Sequence, residues 1–309
     1  MNILITGIHG FVGTNLVEVL KSNYTIFGLD IVAPEREGVV KTFSWNEFEN
    51  LSDIDVVIHL AGKAHDTKNK SDAKTYFDIN TGLTEKIFDF FLHSSAKQFI
   101  FFSSVKAAAD RVDTEYLRED IIPKPVGPYG ESKIKAEEYI LSKDWAEKKV
   151  YIFRPCMIHG PGNKGNLNLL YNIVIKGIPW PLGAFDNKRS FLNIWNLSYI
   201  IRQFIDAQPQ SGIYHLADDE PISTNELIRI IAKAEGKNAK IFNCNKRIIK
   251  NLACIGNFCK LPLNSSRLQK LTESYVVSNI KLKTVLGINN LPVDVKDGLK
   301  KTLNSFKNK

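Results

Sequence analysis

The chain opens on an apolar run, residues 2–6. It breaks into Thr6-Gly7-Ile8-His9-Gly10-Phe11-Val12-Gly13 and then into an amphipathic stretch over 14–21. Glycines at i, i+3 and i+6 between a strand and a helix constrain the fold more than any other feature of the sequence. The first permits a tight turn, the second lets the backbone approach a pyrophosphate, and the third lets helix and strand pack closely; the helix N-terminus then faces the phosphates. A glycine turn alone is common, but one that leaves a first strand and starts a first helix meets the requirement of a dinucleotide site. Asp30 closes the next apolar run, 25–30. A carboxylate there accepts hydrogen bonds from an adenosine ribose and repels a 2′-phosphate. NAD is therefore expected over NADP, with Arg36 shortly downstream keeping NADP open.

Further apolar runs lie at 55–60, 98–102, 150–153 and 212–216, and helical spacing at 81–92, 132–141 and 225–235. Near-continuous apolar strands between amphipathic helices indicate a parallel sheet covered on both faces. The expected class is α/β, a Rossmann-type doubly wound parallel sheet. The texture changes after Arg154: 160–165 reads as a loop, and 178–185 holds two prolines and cannot be a regular helix. A smaller α/β substrate-binding region is expected toward the C-terminus. The division expected is 1–160 with 188–218 for the dinucleotide, and 161–187 with 219–309 for the substrate. The apolar, lysine-flanked stretch 252–263 reads as a packed helix in preference to one touching a membrane or partner.

Tyr129 and Lys133 are spaced i, i+4 at the start of a helix, which puts both on one face. A nearby ammonium favours a phenolate and so is expected to lower the tyrosine pKa. Ser103 and Ser104 end the 98–102 run, where a serine can hydrogen-bond a reacting hydroxyl or carbonyl. Histidines 9, 59, 65, 93, 159 and 215 lack ligand spacing, so no metal is expected. The cysteines 156, 244, 254 and 259 form no C-x-x-C pair, which fits a reducing cytoplasm. No stretch of about 18 apolar residues occurs and no signal peptide is read, so no membrane association is expected. Lys and Arg outnumber Asp and Glu by 41 to 33, a net charge of +8. The excess reads as spread along the chain, with a lysine-rich end (Lys296, Lys300, Lys301, Lys307, Lys309). Without an arginine-rich arm or aromatic-basic platform, it reads as a solvated surface and not as a nucleic-acid site.

Together TGxxGFVG, Asp30, HLAG (59–62), Ser103-Ser104, YxxxK and RPxxxxGPG (154–162) resemble the extended short-chain dehydrogenase/reductases, and more narrowly their nucleotide-sugar epimerase/dehydratase branch. The resemblance covers nearly the whole chain. Gly165-Asn166-Leu167 and PLGAFDNKRSFL (181–192) look like the UDP-sugar segments of 4-epimerases and 4-keto-sugar reductases, and 278–287 like the terminal helix motif. It implies Gly7, Gly10, Phe11, Val12 and Gly13 along the pyrophosphate, Asp30 at the adenosine ribose, and Ser44 or Trp45 beside adenine. Ala61, Gly62, Asn80 and Ser103 would follow the cofactor, with Pro155 and Cys156 at the nicotinamide. Ser104, Tyr129 and Lys133 would be catalytic, the last two also touching cofactor. Asn166, Leu167, Arg189 and Arg267 would face the nucleotide diphosphate. A homodimer through the helices carrying Thr81 and Tyr129 is also implied, with Phe77, Phe88 and Phe91 consistent with one buried face.

Two departures matter. Val105, Lys106 and Ala107 stand where sugar dehydratases carry an Asp-Glu pair, so elimination of water is not expected; His159 replaces a usual tyrosine and Met157 a frequent asparagine. The implied function is an NAD-dependent enzyme acting at C4 of a UDP-hexose: a UDP-sugar 4-epimerase working through a transient 4-keto sugar. The alternative is an NAD(P)H-dependent UDP-4-keto-sugar reductase in surface-polysaccharide precursor synthesis. Retention of Ser104, Tyr129 and Lys133 argues against a non-catalytic dinucleotide-binding module.

Overall fold

A computed structural model describes residues 1–48, 51–63, 72–163, 165–258 and 264–307. Seven parallel strands form the central sheet: β1 (Asn2–Thr6), β2 (Thr25–Asp30), β3 (Lys41–Ser44), β4 (Val56–His59), β5 (Gln98–Phe102), β6 (Lys149–Pro155) and β9 (Gly212–Leu216), in the order β3-β2-β1-β4-β5-β6-β9. The chain runs outward from β1 to β3, then returns to the other side of β1 at β4. That reversal opens a crevice beyond the carboxyl ends of β1 and β4, where Thr6 pairs with His59. Two short strands, β7 (Met157–His159) and β8 (Phe191–Asn193), pair in parallel outside the main sheet.

Alternation along the strands builds two cores. On one face Ile3, Ile5, Ile58, Ile100 and Phe153 pack with α1 (Phe11–Leu20), which supplies Leu16, Val17 and Leu20. On the other, Leu4, Val57, Phe99, Phe101 and Ile152 pack with Ile87, Phe88 and Phe91 of α3 (Leu83–His93) and with Ala136 and Ile140 of α5 (Pro128–Leu141). Phe88 and Phe91 are thus core residues of a single chain and cannot supply the apolar face suggested for a dimer; Phe77 is half-buried.

The helix expected from residue 81 begins earlier. It starts as α2 (Ala73–Phe77), N-capped by Asp72, whose carboxylate accepts from Thr75 N at 2.8 Å, and passes through a π-helical turn, Asp78–Gly82, into α3. Likewise α1 starts at Phe11 and not at 14, and α5 at Pro128 and not at 132, so Tyr129 lies in its first turn. The edge strand β3 has no counterpart among the expected elements. Its four residues are partly exposed and carry no apolar run.

Beyond α4 (Val105–Ala108), the C-terminal part adds α6 (Asn166–Ile175), α7 (Ile194–Ala207), α8 (Thr224–Ala234), α9 (Lys246–Phe258), α10 (Ser265–Thr272), α11 (Ile280–Leu286) and α12 (Val295–Lys307). Leu167, Trp180, Leu227, Ile231, Ile249, Leu268 and Leu299 form a third core there, whereas Val277, Leu282 and Leu291 pack on the sheet. Within the stretch 252–263, α9 runs to Phe258; residues 259–263, and with them Cys259, lie outside the described residues, as does His65.

Candidate active site

The glycine turn is held by sterics. Gly7 has φ +68°, and a Cβ on it would lie 2.8 Å from Ala61 N; a Cβ on Gly13 would lie 2.6 Å from the Ile8 carbonyl oxygen. Gly10 is the N-cap of α1 and offers no side chain, so the helix's first N–H groups have no capping side-chain acceptor. That is the form an anion site at a helix N-terminus takes. Asp30 ends β2 with its carboxylate accepting from His9 N at 2.9 Å and Ile31 N at 2.7 Å, which fixes it beside the turn. Arg36 is turned onto α1: it donates to Thr14 Oγ1 at 3.1 Å and Thr14 O at 2.8 Å, and pairs with Glu18 at 3.2 Å. Those contacts hold Arg36 against α1.

The HLAG segment is fixed by a buried proton chain. Thr84 Oγ1 donates to Asn80 O at 2.7 Å, so it accepts from His59 Nε2 at 2.9 Å. Thr6 Oγ1 accepts from Ala61 N at 3.0 Å and donates to His59 Nδ1 at 2.7 Å. His59 is therefore neutral, with its pKa far below the usual range, first through burial and then through the Lys133 charge. The chain ties β1, β4 and the π-helical turn together and sets Ala61 and Gly62 over the crevice.

Asn80, on that turn, accepts from Lys63 N at 2.7 Å and donates to Ser132 Oγ at 3.0 Å. A π-helical turn widens the helix locally and recurs at functional positions. A Cβ on Gly62 would lie 2.9 Å from Asn80 Oδ1 and 3.1 Å from Lys133 Nζ. Gly62, Asn80 and Lys133 therefore converge on one point.

Lys133 is buried, and its Nζ donates to Phe102 O at 2.8 Å. Burial pulls its pKa down to about 8, against the opposing pull of Glu137. Ser104 caps α4, accepting from Lys106 N at 3.2 Å, and its hydroxyl hydrogen-bonds Tyr129. The expected lowering of the Tyr129 pKa is not found. Burial raises it, the Ser104 hydrogen bond opposes that, and the Lys133 ammonium is turned to the Phe102 carbonyl at the end of β5.

Two supports were not foreseen. Tyr76 of α2 meets Tyr129 edge-on at 6.4 Å between ring centroids. Beneath Ser103, the fully buried Glu137 accepts the Ser103 hydroxyl and a forked pair from Arg154, Nε at 3.0 Å and Nη2 at 2.6 Å. That network clamps the end of β5 to α5 and β6, and so sets Ser104 against Tyr129. Arg154 belongs to the RP motif, which was the one available signal; Glu137 reads in sequence as an ordinary surface acid.

The remaining candidates separate. Pro155 ends β6, Cys156 follows it, and both are buried; burial, then the Asp218 charge, push the Cys156 thiol well above its usual pKa, so it is no nucleophile. Ser44 ends β3 and gives its N–H and hydroxyl to Glu47, both at 3.0 Å. Leu167 is buried in the third core, whereas the Asn166 side chain lies outside the described residues. Arg189 donates to the carbonyls of Lys270 and Glu273, fastening its loop to the end of α10, one turn from Arg267. His159 is buried against Thr302 Oγ1 at 2.9 Å, with its pKa lowered to about 4 by burial, and acts in packing. Among the described residues no group of three or more His, Cys, Asp or Glu could hold a metal ion.

The profile of the NAD dependent epimerase/dehydratase family matches residues 3–217. A UDP-glucose 4-epimerase of Vibrio cholerae is 33% identical, across 99% of this chain and 95% of that protein. An N-acetyl-alpha-D-glucosaminyl-diphospho-ditrans,octacis-undecaprenol 4-epimerase of Escherichia coli O157:H7 is 26% identical, across 91% and 84%. Among solved structures, the UDP-N-acetylglucosamine 4-epimerase of Bacillus cereus matches with TM-score 0.78 at 18% identity, covering 99% of each chain. A Bacillus cereus UDP-glucuronic acid 4-epimerase in complex with UDP-glucuronic acid and NAD matches with TM-score 0.76 at 20% identity, covering 100% of this chain and 99% of that one.

Proposed function

Since the chain belongs to the NAD dependent epimerase/dehydratase family, we propose that it is a UDP-sugar 4-epimerase, acting through a transient 4-keto sugar. The observation that carries the reading is the junction of Ser104 and Tyr129 beside the point where Gly62, Asn80 and Lys133 converge. NAD suits the uncapped α1 N-terminus, the Asp30 carboxylate and the Gly62–Lys133 cradle. When bound, it would accept and return the C4 hydride and bring positive charge to the site.

Tyr129 takes the C4 hydroxyl proton and later gives it back. Its raised pKa makes it a poor base until positive charge is near; Lys133, on the same helix and holding its proton loosely, would provide part of that charge once turned from the Phe102 carbonyl. Ser104 hydrogen-bonds the same oxygen and keeps it within reach of Tyr129. Val105 and Ala107 are buried, and Lys106 pairs with Asp110 at 2.9 Å, so no acid–base pair stands after Ser104 for dehydration. We assign the sugar diphosphate to the 161–187 and 219–309 region, with the N-terminus of α6 for the anion, Arg267 of α10, and Arg189 reaching in from the adjoining 188–218 segment. Three free cysteines among the described residues suit a reducing cytoplasm.

The test is conversion of UDP-glucose and of UDP-N-acetylglucosamine, followed by chromatography without added reductant. The C4 epimer of either, absent with Tyr129→Phe, supports the reading. If the enzyme instead consumes NAD(P)H stoichiometrically with a UDP-4-keto sugar and forms no epimer, it is a reductase.

A further inference from the structure

The net charge is not spread along the chain. The 37 residues from Gly236 to Thr272 hold eight Lys and Arg and no Asp or Glu, and the remaining 272 balance at 33 of each sign. This basic segment contains α9, which has two distinct faces. Ile249 and Ala253 are buried in the third core. Ile248, Leu252 and Ile255, spaced i, i+4 and i+7 along one flank, are 59%, 50% and 53% exposed, and Phe242, just before the helix, is 54% exposed. Lys246, Arg247 and Lys250 are exposed on the opposite, polar arc of the helix, and Asn251 separates Arg247 from Ile255. The expectation of a packed helix over 252–263 therefore fits Ala253 but not Leu252 and Ile255.

We propose that α9 is an interfacial helix that docks the enzyme on an anionic phospholipid surface. An exposed apolar stripe with Lys and Arg on the opposite polar arc, and no acidic residue, has the composition of a helix lying in the headgroup layer. No helix among the described residues is long and apolar enough to cross a membrane, so the helix lies on the surface and does not span it. Charge decides between a lipid surface and a second copy of the chain. Two copies meeting here would oppose like charges, and three side chains cannot supply the ~1,200–2,000 Å² that a stable protein interface buries. An anionic bilayer complements the charge and needs only shallow insertion of the stripe. The surface adjoins the region assigned to substrate, because α10 packs against α9 and receives Arg189 at the Lys270 carbonyl. The proposal is independent of the reaction at Tyr129.

The test is sedimentation of the full chain with vesicles of phosphatidylglycerol in phosphatidylcholine, against phosphatidylcholine alone. Binding is expected only to the anionic vesicles. A basic side chain near such a surface contributes about fivefold in affinity, so combined Lys246→Gln, Arg247→Gln and Lys250→Gln should cost at least about fivefold, Arg247 lying nearest the stripe. Combined Ile248→Asn, Leu252→Asn and Ile255→Asn should cost at least about tenfold, since binding scales with buried apolar area. Both variants should keep the Tm and NAD affinity of the parent. Absence of binding to anionic vesicles, or binding unchanged by the apolar substitutions, overturns the proposal. A fall in Tm with the apolar variant would show a packed face, and a dimer that this variant converts to monomer would make a second copy the occupant; either also overturns it.

Discussion

At the residue scale, the proposed chemistry rests on a tyrosine whose proton is held too tightly in the free protein and a lysine whose proton is held too loosely. Tyr129→Phe should lower kcat by about 10²–10⁴-fold while NAD affinity stays, because only the proton-transfer group is lost; turnover and a cofactor titration on the same variant check it. Lys133 makes a separate prediction about stability. Burial lowers its folded pKa to about 8, below the ordinary lysine value of 10.5, so the unfolded chain binds more protons between those values. Stability then rises with pH across that window, and below it the buried ammonium costs roughly 3 kcal/mol at most. Lys133→Met should therefore raise the urea midpoint at pH 7, with the advantage shrinking toward pH 10, and should abolish turnover. Arg189→Ala should weaken UDP binding by about 1.5–3 kcal/mol and leave NAD binding intact, which calorimetry with both ligands measures. Loss of Tm alone would make Arg189 only a fastener of α10.

At the scale of elements, the glycine turn and the π-helical turn bring separate strands and helices to one crevice. A Cβ at Gly13 would press on two carbonyl oxygens, Ile8 O at 2.6 Å and Gly7 O at 2.7 Å, and backbone cannot move aside cheaply. Gly13→Ala should cost about 1–3 kcal/mol of stability and weaken NAD binding, read from urea melts and titration. The same elements show what was legible in the sequence. Gly7, Gly10 and Gly13 and the Tyr129–Lys133 spacing are local patterns, and local patterns can be read one residue at a time. Asn80 meets Ser132, and Glu137 meets Arg154, only after the sheet has assembled, and no periodicity marks such pairs. The start of α2 was signalled by Asp72 three residues before Thr75, a capping pattern masked by the polar stretch around it. The exposed flank of α9 was hidden because Ile248, Leu252 and Ile255 are as apolar as the residues that pack inward.

For the whole molecule, the sheet and its two cores hold the crevice, and the C-terminal layer carries the residues assigned to substrate. A homodimer remains our expectation, but Phe88 and Phe91 lie in the core of one chain, so any interface must use other residues of α3 and α5. Light scattering should give twice the 34.9 kDa chain mass, and a monomer mass at micromolar concentration would reject it. The central claim is that one enzyme removes the C4 hydrogen of a UDP-hexose and returns it to the opposite face. Incubation of UDP-hexose deuterated at C4 with the enzyme, without added reductant, tests this directly by NMR. The account predicts the C4 epimer with deuterium retained at C4 and no net reduction of NAD. An epimer that has lost the label to solvent, or no epimer formed from UDP-glucose or UDP-N-acetylglucosamine, would contradict it.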